Sequence, residues 1–164
     1  ESQIEDVLAT YPDITKEVVG ISLSPMSYDF GTVSLNTTHE TNATWCTITN
    51  TGNANVNIHI KGDDAEWVDG LYKWTLSDDE TNGKDEYVLW YHIAGDTAGS
   101  YTLITKEKQP MKHVKDGSPL DGSPLNLSDH GDTAQFGLKL LTPTFFNGGR
   151  AMETHITISA VTPQ

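Results

Sequence analysis

Cysteine is almost absent from this sequence of 164 residues, which contains a single one, Cys46. One cysteine cannot form a disulfide within the chain, so a covalent framework is excluded. Cys46 shares its parity with Ile48 on a predicted strand, where a cysteine ordinarily acts as a small buried hydrophobe. A reactive thiolate needs a basic and partly exposed setting, which this strand does not suggest. We therefore assign Cys46 to the core.

Long apolar runs are missing, and basic residues are few. No run approaches the roughly 20 apolar residues of a membrane helix, so we predict no membrane span. Ten basic residues stand against 23 acidic ones, which gives a formal net charge of -13. A surface of this sign repels phosphate backbones, so we expect no nucleic-acid partner. The charge either favours divalent cations and basic surfaces as partners or only keeps the domain soluble.

Catalytic and zinc-binding motifs are absent as well. The chain has no Gly-x-Ser-x-Gly elbow and no phosphate-binding loop. Its six histidines are not paired at ligand spacing with one another or with the cysteine, so the sequence does not support a zinc site. Carboxylates are numerous enough for a glycosidase pair, but no motif singles out an acid and its partner. We predict that the protein is not an enzyme.

Short alternating strands dominate what is present. Residues 46–50 and 55–61 alternate apolar and polar side chains around the turn Asn50-Thr51-Gly52-Asn53, which predicts a β-hairpin. Further strands are predicted over residues 18–23, 29–35, 71–76, 87–93, 101–104, 133–141 and 154–160. About nine or ten short strands and almost no helix indicate an all-β fold, a single immunoglobulin-like or jelly-roll β-sandwich. We assign it to residues 18–164, after an N-terminal extension.

That extension, residues 1–17, is called the leader below. Its apolar side chains have helical spacing up to Pro12, and it docks either on its own domain or on a neighbouring subunit. Trp45 is opposite in parity to Cys46 and is predicted to face away from the core, where a neighbour would cover it. The candidate interface residues are Ile4, Val7, Leu8, Tyr11, Ile14 and Trp45.

The strongest charge cluster, residues 77–86, resembles the front half of a calcium loop. Asp78, Glu80 and Asn82 offer oxygens at alternate positions before a turn glycine, and Asp85 follows. The twelfth-position Glu and the flanking helices of an EF-hand are missing, so it is not an EF-hand. Two alternatives remain for these residues: an irregular calcium site using Asp78, Glu80, Asn82 and Asp85, or a solvated hairpin tip.

Three glycosylation acceptors occur, at Asn36, Asn42 and Asn126. The chain begins with Glu1 instead of Met, which is consistent with removal of a signal peptide. Together these features predict a secreted glycoprotein at the cell exterior or cell surface.

Several stretches carry a resemblance to known families. Residues 30–33 and 48–53 resemble a pattern widespread in extracellular immunoglobulin-like modules. Residues 131–136, 140–143 and 156–160, in that order, resemble the later half of subunits of bacterial TasA-type biofilm fibres and archaeal bundling pili. Archaeal cannula-type tube proteins are a further candidate, and that resemblance would add calcium at subunit contacts. The resemblance implies that an N-terminal segment of one subunit completes the sheet of the next.

Two functions follow as hypotheses. The first is a structural subunit of an extracellular filament, tube or surface layer, whose partners are copies of itself joined through strand addition at a sheet edge. The alternative is a carbohydrate-binding or adhesive module of a cell-surface protein, in which exposed aromatic rings stack on sugars.

Overall fold

The computed structural model describes residues 17–67, 70–115, 122–146 and 151–164. These residues contain twelve strands and no helix, which confirms the predicted all-β class. Consequently, no described helix could cross a membrane. The strands are β1 (Ile21–Ser24), β2 (Thr38–Glu40), β3 (Cys46–Asn50), β4 (Val56–Lys61), β5 (Ala65–Glu66), β6 (Lys73–Leu76), β7 (Glu86–Ile93), β8 (Thr102–Leu103), β9 (Gln109–Pro110), β10 (Asn126–Leu127), β11 (Thr133–Leu141) and β12 (Thr157–Val161).

The strands form two sheets of unequal size that pack against each other. The large sheet has eight strands in the order β1-β3-β11-β7-β6-β5, with β2 also on β11 and β8 also on β7. The small sheet has four strands, with β10 and β9 on one side of β4 and β12 on the other. The choice between immunoglobulin-like and jelly-roll connectivity stays a prediction.

The core lies between the facing sheets, where period-two alternation directs every second side chain inward. β3 and β4 alternate buried with half-buried residues almost without exception. The largest fully buried side chains include those of Ile48, Ile58, Ile60, Tyr87, Tyr91, Ile104 and Met111.

The predicted hairpin between β3 and β4 is wrong. β3 pairs with β1 and β11 in the large sheet, whereas β4 belongs to the small sheet, so residues 51–55 connect the two layers. The buried Asn50 amide holds this connection, because its Nδ2 donates to Ala54 O (2.9 Å) and Leu127 O (3.0 Å). Its Oδ1 accepts from Gly52 N (2.9 Å). These bonds leave no polar group of the Asn50 side chain unsatisfied in the core.

The strand predicted over residues 29–35 is also absent. Asp29 Oδ1 accepts a hydrogen bond from Gly31 N (2.7 Å), and Gly31 has a φ of 72°. This left-handed conformation, which favours glycine, interrupts an extended strand. Residues 25–35 therefore run as an irregular segment beside the core.

One of the two alternatives for the acidic loop of residues 77–85 was a solvated hairpin tip. The structure shows that this alternative is wrong. The loop connects β6 to β7, and these strands are parallel, with Thr75 opposite Glu86 and Leu76 opposite Tyr87. A parallel pair needs a connection that returns to the same end of the sheet, which a hairpin turn does not provide.

Residues 87–93 are apolar on both faces, which predicts a central strand, and β7 is central in the large sheet. It pairs with β11, β6 and β8, and most of its residues are buried. On the outer face of the large sheet, Lys139 Nζ lies 4.8 Å from the Trp90 ring centroid and 4.7 Å from that of Tyr101. The lysine stem and the two rings cover this face, and Trp90 Nε1 donates to Glu80 Oε1 (3.1 Å).

Gly137 on β11 provides a test of how closely residues 41–43 pack against this strand. A Cβ at this position would lie 2.4 Å from Asn42 O and 2.9 Å from Thr41 Oγ1. Gly137→Ala should therefore push the backbone of Asn42 away from β11. We expect the free energy of unfolding, measured by urea denaturation, to fall by about 1–3 kcal/mol. Gly122→Ala is the control, because its Cβ would meet only Lys112 Cδ at 3.6 Å. Equal stability of the two variants would contradict this packing.

Candidate functional site: an apolar groove between the sheets

A groove of about 1120 Å³ opens between the two sheets. Its floor is the inner face of the large sheet. One rim is the irregular segment 25–35, and the other is formed by residues 151–156 and β12. The floor is almost wholly apolar and comprises Cys46, Trp74, Tyr87, Leu89, Phe136, Leu138 and Leu140.

The groove exists because the small sheet ends at β12. β12 pairs with β4 on one side, and no described strand lies on the other. Its inward residues Ile158 and Ala160, with Ile156 just before them, pack against the core but are only half-buried. The core is therefore incomplete along this edge.

The open edge of β12 also presents backbone hydrogen-bonding groups. Ile58 on β4 directs its N–H to Leu125 O (3.0 Å) and accepts from Met111 N (2.8 Å), both on the side away from β12. Alternation then assigns the neighbours of Ile58 on β4 to the β12 ladder. On β12, it follows that Ile158 and Ala160 direct their N–H and C=O groups toward the open edge.

The rim of residues 25–35 carries an aromatic cluster. The Tyr28 ring meets Phe30 (centroids 4.8 Å apart) and Trp45 (5.6 Å) in edge-to-face contacts. Met26 is 84% exposed and Leu35 is 42% exposed, although both line the groove. Sequence reasoning missed this rim, because the pattern of residues 29–35 predicts a strand that the structure does not form there.

Trp45 does not face away from the core, contrary to the prediction from parity. Its ring packs edge-to-face on Phe136, with centroids 5.8 Å apart, and it lines the groove. Trp45 precedes the first residue of β3, so the alternation within that strand does not govern its direction. Whether a neighbouring subunit contacts Trp45 stays a prediction.

Two aromatic side chains form the end of the groove near residues 151–154. Tyr87 donates from its hydroxyl to Asp63 O (2.5 Å), and the same hydroxyl oxygen lies 3.0 Å from Thr154 Oγ1. Trp74 is only 8% exposed and packs on Phe146, with ring centroids 5.4 Å apart. Its indole N–H is buried and has no hydrogen-bond partner among the described residues. An unsatisfied buried donor is costly and calls for a physical reason.

Cys46 is confirmed as a core residue, 2% exposed. Burial raises the pKa of its thiol above the ordinary value, a change that disfavours the nucleophilic thiolate. Its Sγ lies 3.6 Å from Pro25 O, which joins the floor of the groove to its rim.

The structure does not bring the candidate calcium ligands together. Glu80 accepts from Trp90, Asn82 Nδ2 donates to Asn36 Oδ1 (2.9 Å) and Thr142 O (2.7 Å), and Asp78 is exposed. Asp85 has a φ of 55°, and its N–H donates to Phe145 O (2.9 Å). Across the described ranges, no group of three His, Cys, Asp or Glu residues could hold a metal ion. The calcium site stays a prediction.

The three glycosylation acceptors are exposed but differ in their surroundings. Asn126 Nδ2, the atom that would carry a glycan, donates to Asn55 Oδ1 (2.6 Å), Asn57 Oδ1 (2.8 Å) and Val56 O (3.2 Å). A glycan would leave that nitrogen a single N–H, so it would break this cluster. Asn36 and Asn42 are not constrained by such a cluster in the bonds that the structure describes, and they are the better acceptors.

The predicted interface residues Ile4, Val7, Leu8, Tyr11 and Ile14 lie outside the described residues. The chain matches no protein-family model, and no curated protein and no solved structure is significantly similar to it. The resemblance to filament subunits therefore stays a prediction, and the function is argued from the groove.

Because the phenol of Tyr87 is buried, we predict that the protein loses stability at alkaline pH. Burial raises the folded-state pKa of Tyr87 above its unfolded value of about 10, because the phenolate is disfavoured in the core. The neutral phenol's contribution is thus fully present below pH 10 and is lost as pH rises through the folded-state pKa. Urea denaturation of wild type should show the free energy of unfolding falling above about pH 10. The decline should be shallower in Tyr87→Phe, and identical declines would contradict this assignment.

Proposed function

We propose that the protein is a structural subunit of an extracellular filament, tube or surface layer, in which the leader of one copy fills the groove of the next. The observation that carries this proposal is the apolar groove beside the open edge of β12. A strand laid along this edge satisfies the outward backbone groups of β12 and packs its own apolar side chains against Met26, Tyr28 and Leu35, the exposed apolar side chains of the opposite rim.

The leader has the length and the composition for this role. Fully extended, its 17 residues span roughly 55 Å, and the rim of residues 151–161 spans roughly 36 Å. Enough chain therefore remains to connect two domains. Its apolar residues match the exposed apolar side chains on the rim of the groove, and a head-to-tail contact that does not close produces a fibre.

The apolar floor of the groove supports this proposal more than it supports catalysis, and the charged lining residues Asp29, Glu153 and His155 stand on the rims. Its floor carries one thiol held in the unreactive form and one tyrosine whose hydroxyl is already bonded. The alternative of sugar binding stays a prediction with less support. Trp74 and Trp90 are buried, and Trp45 packs on Phe136, so these three rings form no exposed platform.

Removal of residues 1–17 tests the proposal. The truncated protein should remain a folded monomer, because none of the described strands is lost, whereas the full chain should form filaments in negative-stain electron microscopy. A synthetic peptide of residues 1–17 should raise the melting temperature of the truncated domain, since binding to the folded state stabilises it by mass action.

The control peptide carries Val7→Asp and Leu8→Asp, and it should not raise the melting temperature, because two charges cannot enter the apolar floor. Filaments assembled by the truncated protein would sink the proposal.

A further inference from the structure

The strand registers place the point where the leader joins the domain and the part of the groove that contains Trp74 at opposite ends of the domain. We call one of these ends the leader end. There Val18 O accepts a hydrogen bond from Asn53 N (2.9 Å), and β12 ends with Val161 opposite Asn57. We call the other the Trp74 end. There isolated β-bridges join Glu153 to Glu66 and Lys84 to Phe145. The leader therefore leaves the domain at the end where β12 stops.

This placement decides the direction of any inserted strand. A leader that folds back into its own groove from Val18 would run parallel to β12. A leader from a second copy that enters at the Trp74 end runs antiparallel to β12. Antiparallel pairing is slightly more stable per residue, so the geometry favours the second copy as occupant.

Exposed apolar side chains lie at both ends. Val18 is 52% and Val19 43% exposed at the leader end, immediately after the leader. Leu71 is 78% and Phe145 52% exposed at the Trp74 end. If the leader of one copy enters there, its valine pair arrives at these two side chains, and both apolar surfaces leave water.

The unpartnered Trp74 N–H lies at this same end. It is a buried donor without an acceptor in the described part of the chain, and Trp74 lines the groove. An inserted strand that bonds to the open edge of β12 through half of its backbone groups directs the other half away from that edge. One of those carbonyls is the acceptor that the indole lacks.

We propose that the leader of a second copy enters the groove at the Trp74 end, runs antiparallel to β12 and gives a backbone carbonyl to the Trp74 N–H. Val18 and Val19 of one copy then meet Leu71 and Phe145 of the next. This inference rests on the proposed function and adds the polarity of the assembly and its anchor point.

Disulfide trapping tests the polarity. Full-length Val19→Cys and Phe145→Cys chains are oxidised separately and as a mixture, and dimers are measured on non-reducing gels. The mixture should yield more dimer by about tenfold or more, because docking raises the effective concentration of the two thiols. A mixture of Val19→Cys with Thr133→Cys, which is exposed at the leader end opposite Thr49, should yield no such excess. Equal trapping in the Val19→Cys chain alone would overturn the polarity.

Trp74→Phe tests the anchor, because it removes the N–H and keeps an aromatic ring. The residue 1–17 peptide should bind the truncated variant about three- to tenfold more weakly than it binds the truncated parent. Trp74→Phe also identifies the indole resonance in ¹H–¹⁵N spectra, and the peptide should shift that resonance in the parent and slow its exchange with solvent.

The outcomes separate the two proposals. A peptide that binds both domains equally and leaves the Trp74 resonance unmoved overturns the anchor, while the proposed function stands. A peptide that does not bind the parent domain at all overturns the proposed function itself.

Discussion

The inner face of the large sheet is wider than the small sheet can cover, and the rest of the molecule depends on this mismatch. The large sheet has eight strands, whereas the small sheet has four. Apolar surface left in water costs free energy in proportion to its area, so the exposed side chains of Met26, Tyr28 and Leu35 on the rim favour any chain that covers them. Among the described residues, no strand pairs with β12 on the side away from β4.

A peptide strand would address both the exposed apolar surface of the groove and the open edge of β12. It brings backbone donors and acceptors for the β12 edge and alternate side chains for the exposed rim, whereas a small apolar ligand supplies only the second. The buried Trp74 N–H adds a demand for an oxygen acceptor at one end of the groove. The apolar groove, the open edge and the unsatisfied donor together support the proposal that a polypeptide strand occupies this site.

Period-two alternation predicted most of the strands and their inward side chains, including Ile58, Ile60 and Leu138. It failed where a strand's partner matters. The same alternation before and after Asn50 is compatible with a hairpin or with a connection between layers, and only the long-range pairing of β3 and β4 distinguishes them. The groove escaped prediction for a related reason, since its floor residues come from strands far apart in sequence.

The sequence by itself determined the all-β class, the buried role of Cys46 and the central place of β7, because local alternation and apolar character set which residues a strand buries. Only the tertiary structure decided that β12 is an edge, that Trp45 turns inward and that residues 25–35 form a rim instead of a strand. These properties depend on which strands lie side by side. That pairing is set by long-range packing and hydrogen bonding, which no single stretch of sequence contains.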